Sequence, residues 1–144
     1  PYHNNFAKRI MKSPKLYFID TGLMCHLLRI RNAGDLTGHP LYGGIFETFV
    51  VSEILKTFVH RGERPPLYYW RDRTWHEVDA LLDLGAKLTA IEVKAGRTIS
   101  SDSFKGLKFF SGLKGVRGDS VLVYGGEESS LREGVRVRAW WQAS

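Results

Sequence analysis

The stretch TAIEVKAG, residues 89–96, writes a carboxylate and an amine, Glu92 and Lys94, into a run that otherwise reads as a packed strand. Threonine, isoleucine and valine favour a pleated, half-buried surface. Charges on such a surface are costly unless something compensates them. A second acid, Asp79, stands in WHEVDALLD, residues 75–83. If DLGAKL turns as a hairpin on Gly85 and Ala86, Leu84 faces Lys87, Leu82 faces Thr89, and Asp79 falls opposite Glu92. Alternation then puts Asp79, Glu92 and Lys94 on one face, and Val78, Ala80, Leu82, Ile91 and Val93 on the other. Two opposed carboxylates repel each other. A divalent cation between them turns that repulsion into attraction, and carboxylate oxygens suit Mg²⁺ or Mn²⁺.

A third acid comes from IFETFVVSEILKTFVH, residues 45–60, which reads as a long helix. At about 100° per residue, Glu47 shares a stripe with Val50, Val51, Ile54 and Phe58, while Glu53, Lys56 and His60 fall on the polar side. A dipole preference near the helix start accounts for an acid there, but not for one that points inward. Taken singly, each residue has an ordinary explanation, since Glu92 and Lys94 also suit a surface ion pair of small worth. Convergence of Glu47, Asp79, Glu92 and Lys94 on one spot is harder to explain that way. Three acids and a lysine around a metal would activate water for attack on a phosphodiester and stabilise the charge that develops.

The elements that must position these residues follow from the same pattern. KLYFIDTGL, residues 15–23, is a short apolar strand or turn, and Asp20 or Thr21 caps a helix through LMCHLLRI. RNAGDLTGHPLYGG reads as a loop, with Gly43–Gly44 and Gly125–Gly126 as turns. LYYWR, WHEVDALLD and LTAIEVKAG are three strands joined by tight turns. SSDSFKGLKFFSGLK is a helix, SVLVYGG a strand covered on both faces, and VRVRAWW an edge strand. This predicts an α/β fold: a helix, three antiparallel strands, a helix and further strands, with a central mixed sheet flanked by helices. Residues 1–40 form an entry segment with a short strand or helix, and residues 41–144 form the core.

Composition sets outer limits. The 144 residues are 43% hydrophobic and 25% charged, which is the composition of one globular domain. No run approaches the ~18–20 apolar residues of a membrane span, so no membrane partner is expected. One cysteine, Cys25, excludes an internal disulfide and suits a reducing cytoplasm, with a buried structural thiol as its role. No phosphate-binding GxxxxGK[ST] loop, zinc-spaced Cys/His set or GxSxG elbow occurs. The chain opens on Pro1 with no signal-peptide pattern, which reads as a piece of a longer chain. A formal charge of +6 points towards a polyanion. Lys8, Arg9, Lys12 and Lys15 crowd the amino end, Arg71 and Arg73 flank a turn, and Arg97, Lys105, Lys108 and Lys114 follow the IEVK strand.

Glu47, Asp79 and the EVK of residues 92–94, in this order of elements, resemble the PD-(D/E)XK nuclease superfamily over residues 45–124. The resemblance implies a restriction-endonuclease-like core, with Glu47 as the helix acid, Asp79 as the second-strand acid and Glu92–Lys94 as the (D/E)XK half-motif. HEVD stands here where the superfamily has PD. KSPKLYFIDTGL, FETFVVSEILK, YYWRDRTWHEVDALLD and AIEVKAG are similar to the uncharacterised domain found carboxy-terminal to AAA+ ATPase modules in archaeal and bacterial proteins. That likeness implies an ATPase module amino-terminal to this chain. Two readings follow: a Mg²⁺- or Mn²⁺-dependent nuclease acting on DNA, or a non-catalytic nucleic-acid-binding or regulatory module of the ATPase. In either, Arg97 and Lys105 are the first residues expected to grip a nucleic-acid backbone, then Arg71, Arg73 and the face of Trp75. Lys8 and Arg9 are expected to face the ATPase instead.

Overall fold

In the computed structural model, which describes residues 14–143, the chain enters without regular structure over residues 14–20. Asp20 ends this entry as a cap, its carboxylate accepting from the Leu23 N–H at 2.8 Å, which satisfies one of the donors a helix start leaves free. Helix α1 (Thr21–Leu27) stops short of the expected Ile30, and Arg29 follows it at φ +59°. The stretch read as a loop contains a short helix, α2 (Ala33–Thr37), capped by Asn32 through the Asp35 N–H at 2.9 Å. Helix α3 (Tyr42–Val59) begins ahead of the expected Ile45, so Gly43 and Gly44 lie in its first turn rather than in a separate one.

Strands β1 (Leu67–Arg71), β2 (Glu77–Asp83) and β3 (Leu88–Lys94) follow. A 3-10 turn over Ser101–Phe104 leads into α4 (Lys105–Ser111), and then come β4 (Gly118–Tyr124), β5 (Ser130–Arg132) and β6 (Val135–Ala139). The strands form one mixed six-stranded sheet in the order β1-β2-β3-β4-β6-β5, so the fold is α/β. The pairs β1–β2, β2–β3 and β5–β6 are antiparallel, while β3–β4 and β4–β6 are parallel. VRVRAWW is not the edge: β6 lies between β4 and β5 with Val135, Val137 and Ala139 buried, and the exposed β5 closes the sheet.

Helices cover both faces. On one, Val50, Val51 and Ile54 of α3 pack against Ala80, Ile91, Val93 and Val123. On the other, Leu107 and Phe110 of α4 pack with Trp70, Val78, Leu81, Ala90 and Leu122. Burying a side chain of this size stabilises by ~1.5–3 kcal/mol, so the two clusters fix the helices against the sheet.

The β2–β3 register is the expected one. Leu82 pairs with Thr89, and the Leu84 N–H donates to the Lys87 carbonyl across a turn whose Gly85 sits at φ +82°. Pairing runs from Asp83–Leu88 to Ala80–Ile91, one step short of the expected Asp79–Glu92 pair. The reason lies on the other side of β2. Tyr68 pairs with Leu81 but Trp70 with Val78, so Asp79 and Ala80 together oppose Tyr69. This is a β-bulge, which breaks the alternation of side chains and re-aims one of them. Val78 accordingly joins the α4-side cluster, not the face of Ala80, Ile91 and Val93. The expected common face of Asp79, Glu92 and Lys94 gives way to a fork between β2 and β3.

Helix α4 closes down on this fork through Gly106. A Cβ there would lie 2.3 Å from the Glu77 carbonyl oxygen and 3.6 Å from Glu92 Oε2. Gly106→Ala should therefore push α4 off β2 and cost ~1–3 kcal/mol of stability. Gly43→Ala, where nothing lies within 4 Å of the added carbon, should be neutral or stabilising. Chemical denaturation of both variants tests this, and equal losses would contradict the close approach at Gly106.

Candidate active site

Charged side chains collect where β2 and β3 part. The bulge turns the Asp79 carboxylate into the fork, where Oδ2 accepts from the Val93 N–H at 2.9 Å. The side chain thus takes a hydrogen bond that strand pairing would otherwise supply. Asp79 Oδ1 faces Lys15 Nζ at 3.2 Å. The same ammonium lies 2.9 Å from Glu47 Oε1, on the inward stripe of α3, and 2.5 Å from Glu77 Oε1. Tyr17 donates its hydroxyl to Glu47 Oε1 at 2.9 Å. Arg71 Nε, on β1, holds the second oxygen of Glu77 at 2.7 Å. On β3, Lys94 Nζ donates to Glu92 Oε1 at 2.7 Å, while Glu92 Oε2 is buried with no hydrogen-bond partner among the described residues.

These contacts set the protonation states. Burial pushes the Asp79 carboxyl up and the charge of Glu47 adds to it, against the pull of Lys15. Glu92 is pushed up to about 7 by burial and by Asp79, with Lys94 opposing. Burial acts to raise Glu77, but hydrogen bonds from Lys15 and Arg71 hold it below the usual carboxylate range. Burial would lower Lys15, yet the carboxylates of Asp79 and Glu77 hold its ammonium well above the ordinary lysine value. The Tyr17 hydroxyl is pushed up by burial and by the Glu47 carboxylate. Lys94, opposed by burial, is raised by Glu92.

Glu47, Asp79, Glu92 and Lys94 are thus brought into one electrostatically connected group. Lys15, Tyr17 and Glu77 belong to it as well, and sequence reasoning missed all three as site residues. Glu77 stands two positions before Asp79, and Lys15 and Tyr17 alternate in KLY; only those spacings hinted at them. Oxygen donors of this kind suit a hard divalent ion, and the orphaned Glu92 Oε2 is an atom such an ion would satisfy. The arrangement as it stands does not fit one. Lys15 holds the space between Glu47, Glu77 and Asp79. Among the described residues, no group of three or more His, Cys, Asp or Glu is placed to hold a metal ion.

The expected nucleic-acid contacts are spread around this group. Arg97 pairs with Glu127 and Lys105 with Asp102, all four strongly exposed. Arg71 lies 5.4 Å from the Trp75 ring centroid. Trp75 is 72% exposed at φ +67°, a conformation rare for a bulky residue. The turn beneath it is braced: buried Asp72 accepts from the Thr74 and His76 N–H groups, and His76 stacks on Phe109 at 3.7 Å. Arg73 is exposed on the same turn. Lys8, Arg9 and Lys12, with the rest of residues 1–13 of the entry segment, lie outside the described residues. Cys25 is half-buried rather than buried, and its thiol is free. Among the described residues, no helix is long and apolar enough to cross a membrane.

A family model described as "Domain of unknown function (DUF4143)" matches residues 42–141. A second, "Domain of unknown function (DUF8612)", matches residues 1–34. Uncharacterised proteins of Mycobacterium bovis and Mycobacterium tuberculosis are each 34% identical over 100 residues, which is 69% of this chain and 22% of theirs. The chain spans less than a quarter of the length of these relatives. No solved structure matches.

The raised Glu92 carboxyl makes stability depend on pH. Its proton is held more tightly in the folded state, so the stability it contributes is full below the ordinary value of 4.5 and is lost as pH rises through about 7. Glu92→Gln should therefore match the wild type at about pH 5 and exceed it in melting temperature by about pH 8. A difference that stays constant across this range would contradict the burial of a charged Glu92.

Proposed function

We propose that this chain, which belongs to the DUF4143 family, is a nuclease-like domain that hydrolyses phosphodiester bonds in DNA. One observation carries the reading. Glu47 from α3, Asp79 from a bulge in β2, and Glu92 and Lys94 from β3 meet in a partly buried group at the fork of the sheet. The order α3, β1, β2, β3, α4, β4 supports a PD-(D/E)XK core. Within it, Glu92 exchanges its proton near neutral pH and so acts as base or acid towards a water. Lys94, bonded to Glu92, presents a positive charge to a phosphoryl oxygen. Mg²⁺ or Mn²⁺ is the cofactor proposed with it, and binding it would require Lys15 to be elsewhere. The greater length of the relatives supports a place within a longer protein, for which an AAA+ ATPase module and the cytoplasm are proposed.

A second reading keeps the fold and drops the chemistry, as a nucleic-acid-binding or regulatory module of the ATPase. Lys15 supports it, because an internal ammonium already neutralises the acids that a catalytic ion would serve. Both readings use the basic surface. The pairs of Arg97 and Lys105 are solvent-exposed and worth little, so both side chains are free to turn to phosphates. Trp75 offers a face on which an unpaired base stacks.

Cleavage of labelled single- and double-stranded DNA with added Mg²⁺ or Mn²⁺ separates the readings. The nuclease reading expects metal-dependent cleavage that Asp79→Asn abolishes with the fold intact; cleavage equal in the variant, or none in the wild type, supports the module. Binding measured in Ca²⁺ should weaken with salt by about 0.9 in log K per phosphate neutralised. Truncating Arg97 and Lys105 should shallow that slope by roughly one to two units. Trp75→Gly should relieve the left-handed backbone and gain ~0.5–1 kcal/mol of stability while weakening binding of single strands. Binding independent of salt, or unchanged by these variants, would rule out this surface.

A further inference from the structure

A half-open cavity of about 340 Å³ lies beside the fork, between the entry segment, α3 and β1. Its size is that of a small-molecule site, for which ~300–1,000 Å³ is usual. Tyr17 and Ile19, Val51 and Leu55, and Leu67 and Tyr69 form its walls. Tyr17, Val51 and Leu67 also belong to the apolar cluster under α3, so core packing holds these walls and the cavity needs no movement to form. Lys15 and Asp79 are part of its lining too. The Lys15 ammonium is shared among Glu47, Glu77 and Asp79, and it stands 5.8 Å from the Tyr69 ring centroid. An ammonium so engaged has little left to hold a phosphate, whereas tyrosine rings and aliphatic walls suit a neutral planar group.

We propose that this cavity receives one unpaired nucleobase of a DNA strand. The inference rests on the nuclease-like reading and names its substrate class, single-stranded or locally opened DNA. Asp79 belongs both to the cavity lining and to the fork, so a base seated here draws its own strand against the charged group. A base inside a duplex is stacked and paired, and it enters such a pocket only after leaving the helix. Tyr17 and Lys15 keep their places: the tyrosine is a wall for the base, and the lysine goes on neutralising the acids. Aromatic side chains hold unpaired bases in this way with little regard to sequence.

NMR titration of the isotope-labelled full chain tests this with deoxyadenosine and deoxycytidine, which carry no phosphate, and with toluene as an apolar control. The nucleosides should shift the resonances of Tyr17, Leu55 and Tyr69 with a Kd of about 1 mM or tighter, and toluene should bind more weakly. Leu55→Trp, which fills the cavity from α3, should abolish these shifts. It should also weaken binding of a single-stranded oligonucleotide by about tenfold or more while leaving a blunt duplex unaffected. If Leu55→Trp does not fold, the wild-type titration decides alone. Absence of nucleoside shifts at these residues, toluene binding as tightly, or equal losses for single strand and duplex overturns the base pocket. Metal-dependent DNA cleavage in that case leaves the nuclease-like reading standing. Nucleoside binding by a wild type that cleaves no DNA does the opposite: the pocket stands and the nuclease falls.

Discussion

The charge at the mouth of the β2–β3 fork is the constraint that the rest of this structure answers. Glu47, Glu77, Asp79 and Glu92 are all at least half-buried, and each is paired with a cation within one small volume. Two like charges about 4 Å apart cost on the order of 4 kcal/mol at an effective dielectric near 20. A domain stable by ~5–15 kcal/mol does not tolerate several such terms uncompensated. Lys15, Lys94 and Arg71 supply the opposite sign, and Lys15 touches three of the four acids. The entry segment is fixed by this demand together with Tyr17, which packs against the α3-side apolar cluster.

Backbone geometry makes the concentration of charge possible. Without the bulge at Asp79–Ala80, the ladder would run on and Asp79 would stand on a sheet face. With it, the carboxylate occupies the fork and satisfies the Val93 N–H. The two apolar clusters hold α3 and α4 against opposite faces, so Glu47 arrives from one side while Gly106 lets α4 approach Glu92 from the other. Packing therefore places the charges, and the charges in turn fasten the entry segment.

Much of this was legible in the residues themselves. Alternation and a Gly-containing turn located β2, β3 and their register, and the apolar stripe of α3 set Glu47 inward. The bulge left no mark, because an unpaired residue in a ladder depends on the partner strand and not on local composition. Nor did β5, three exposed residues whose presence turns β6 from an edge into an interior strand. Helix α2 was hidden among Gly and Pro, although its Asn32 cap was readable. Lys15 was the largest omission. Its contacts reach 32 and 64 residues along the chain, beyond any local pattern.

The central claim is that the Lys15 ammonium is bound among these carboxylates in the folded protein. An NMR titration of its Nζ reports this directly. Exposed lysines lose their proton near an ordinary value of about 10.4. The account predicts that Lys15 stays protonated at about pH 11, after the exposed lysines have titrated. Titration of Lys15 together with the exposed lysines would contradict it, and would leave the acids at the fork without the cation on which this structure depends.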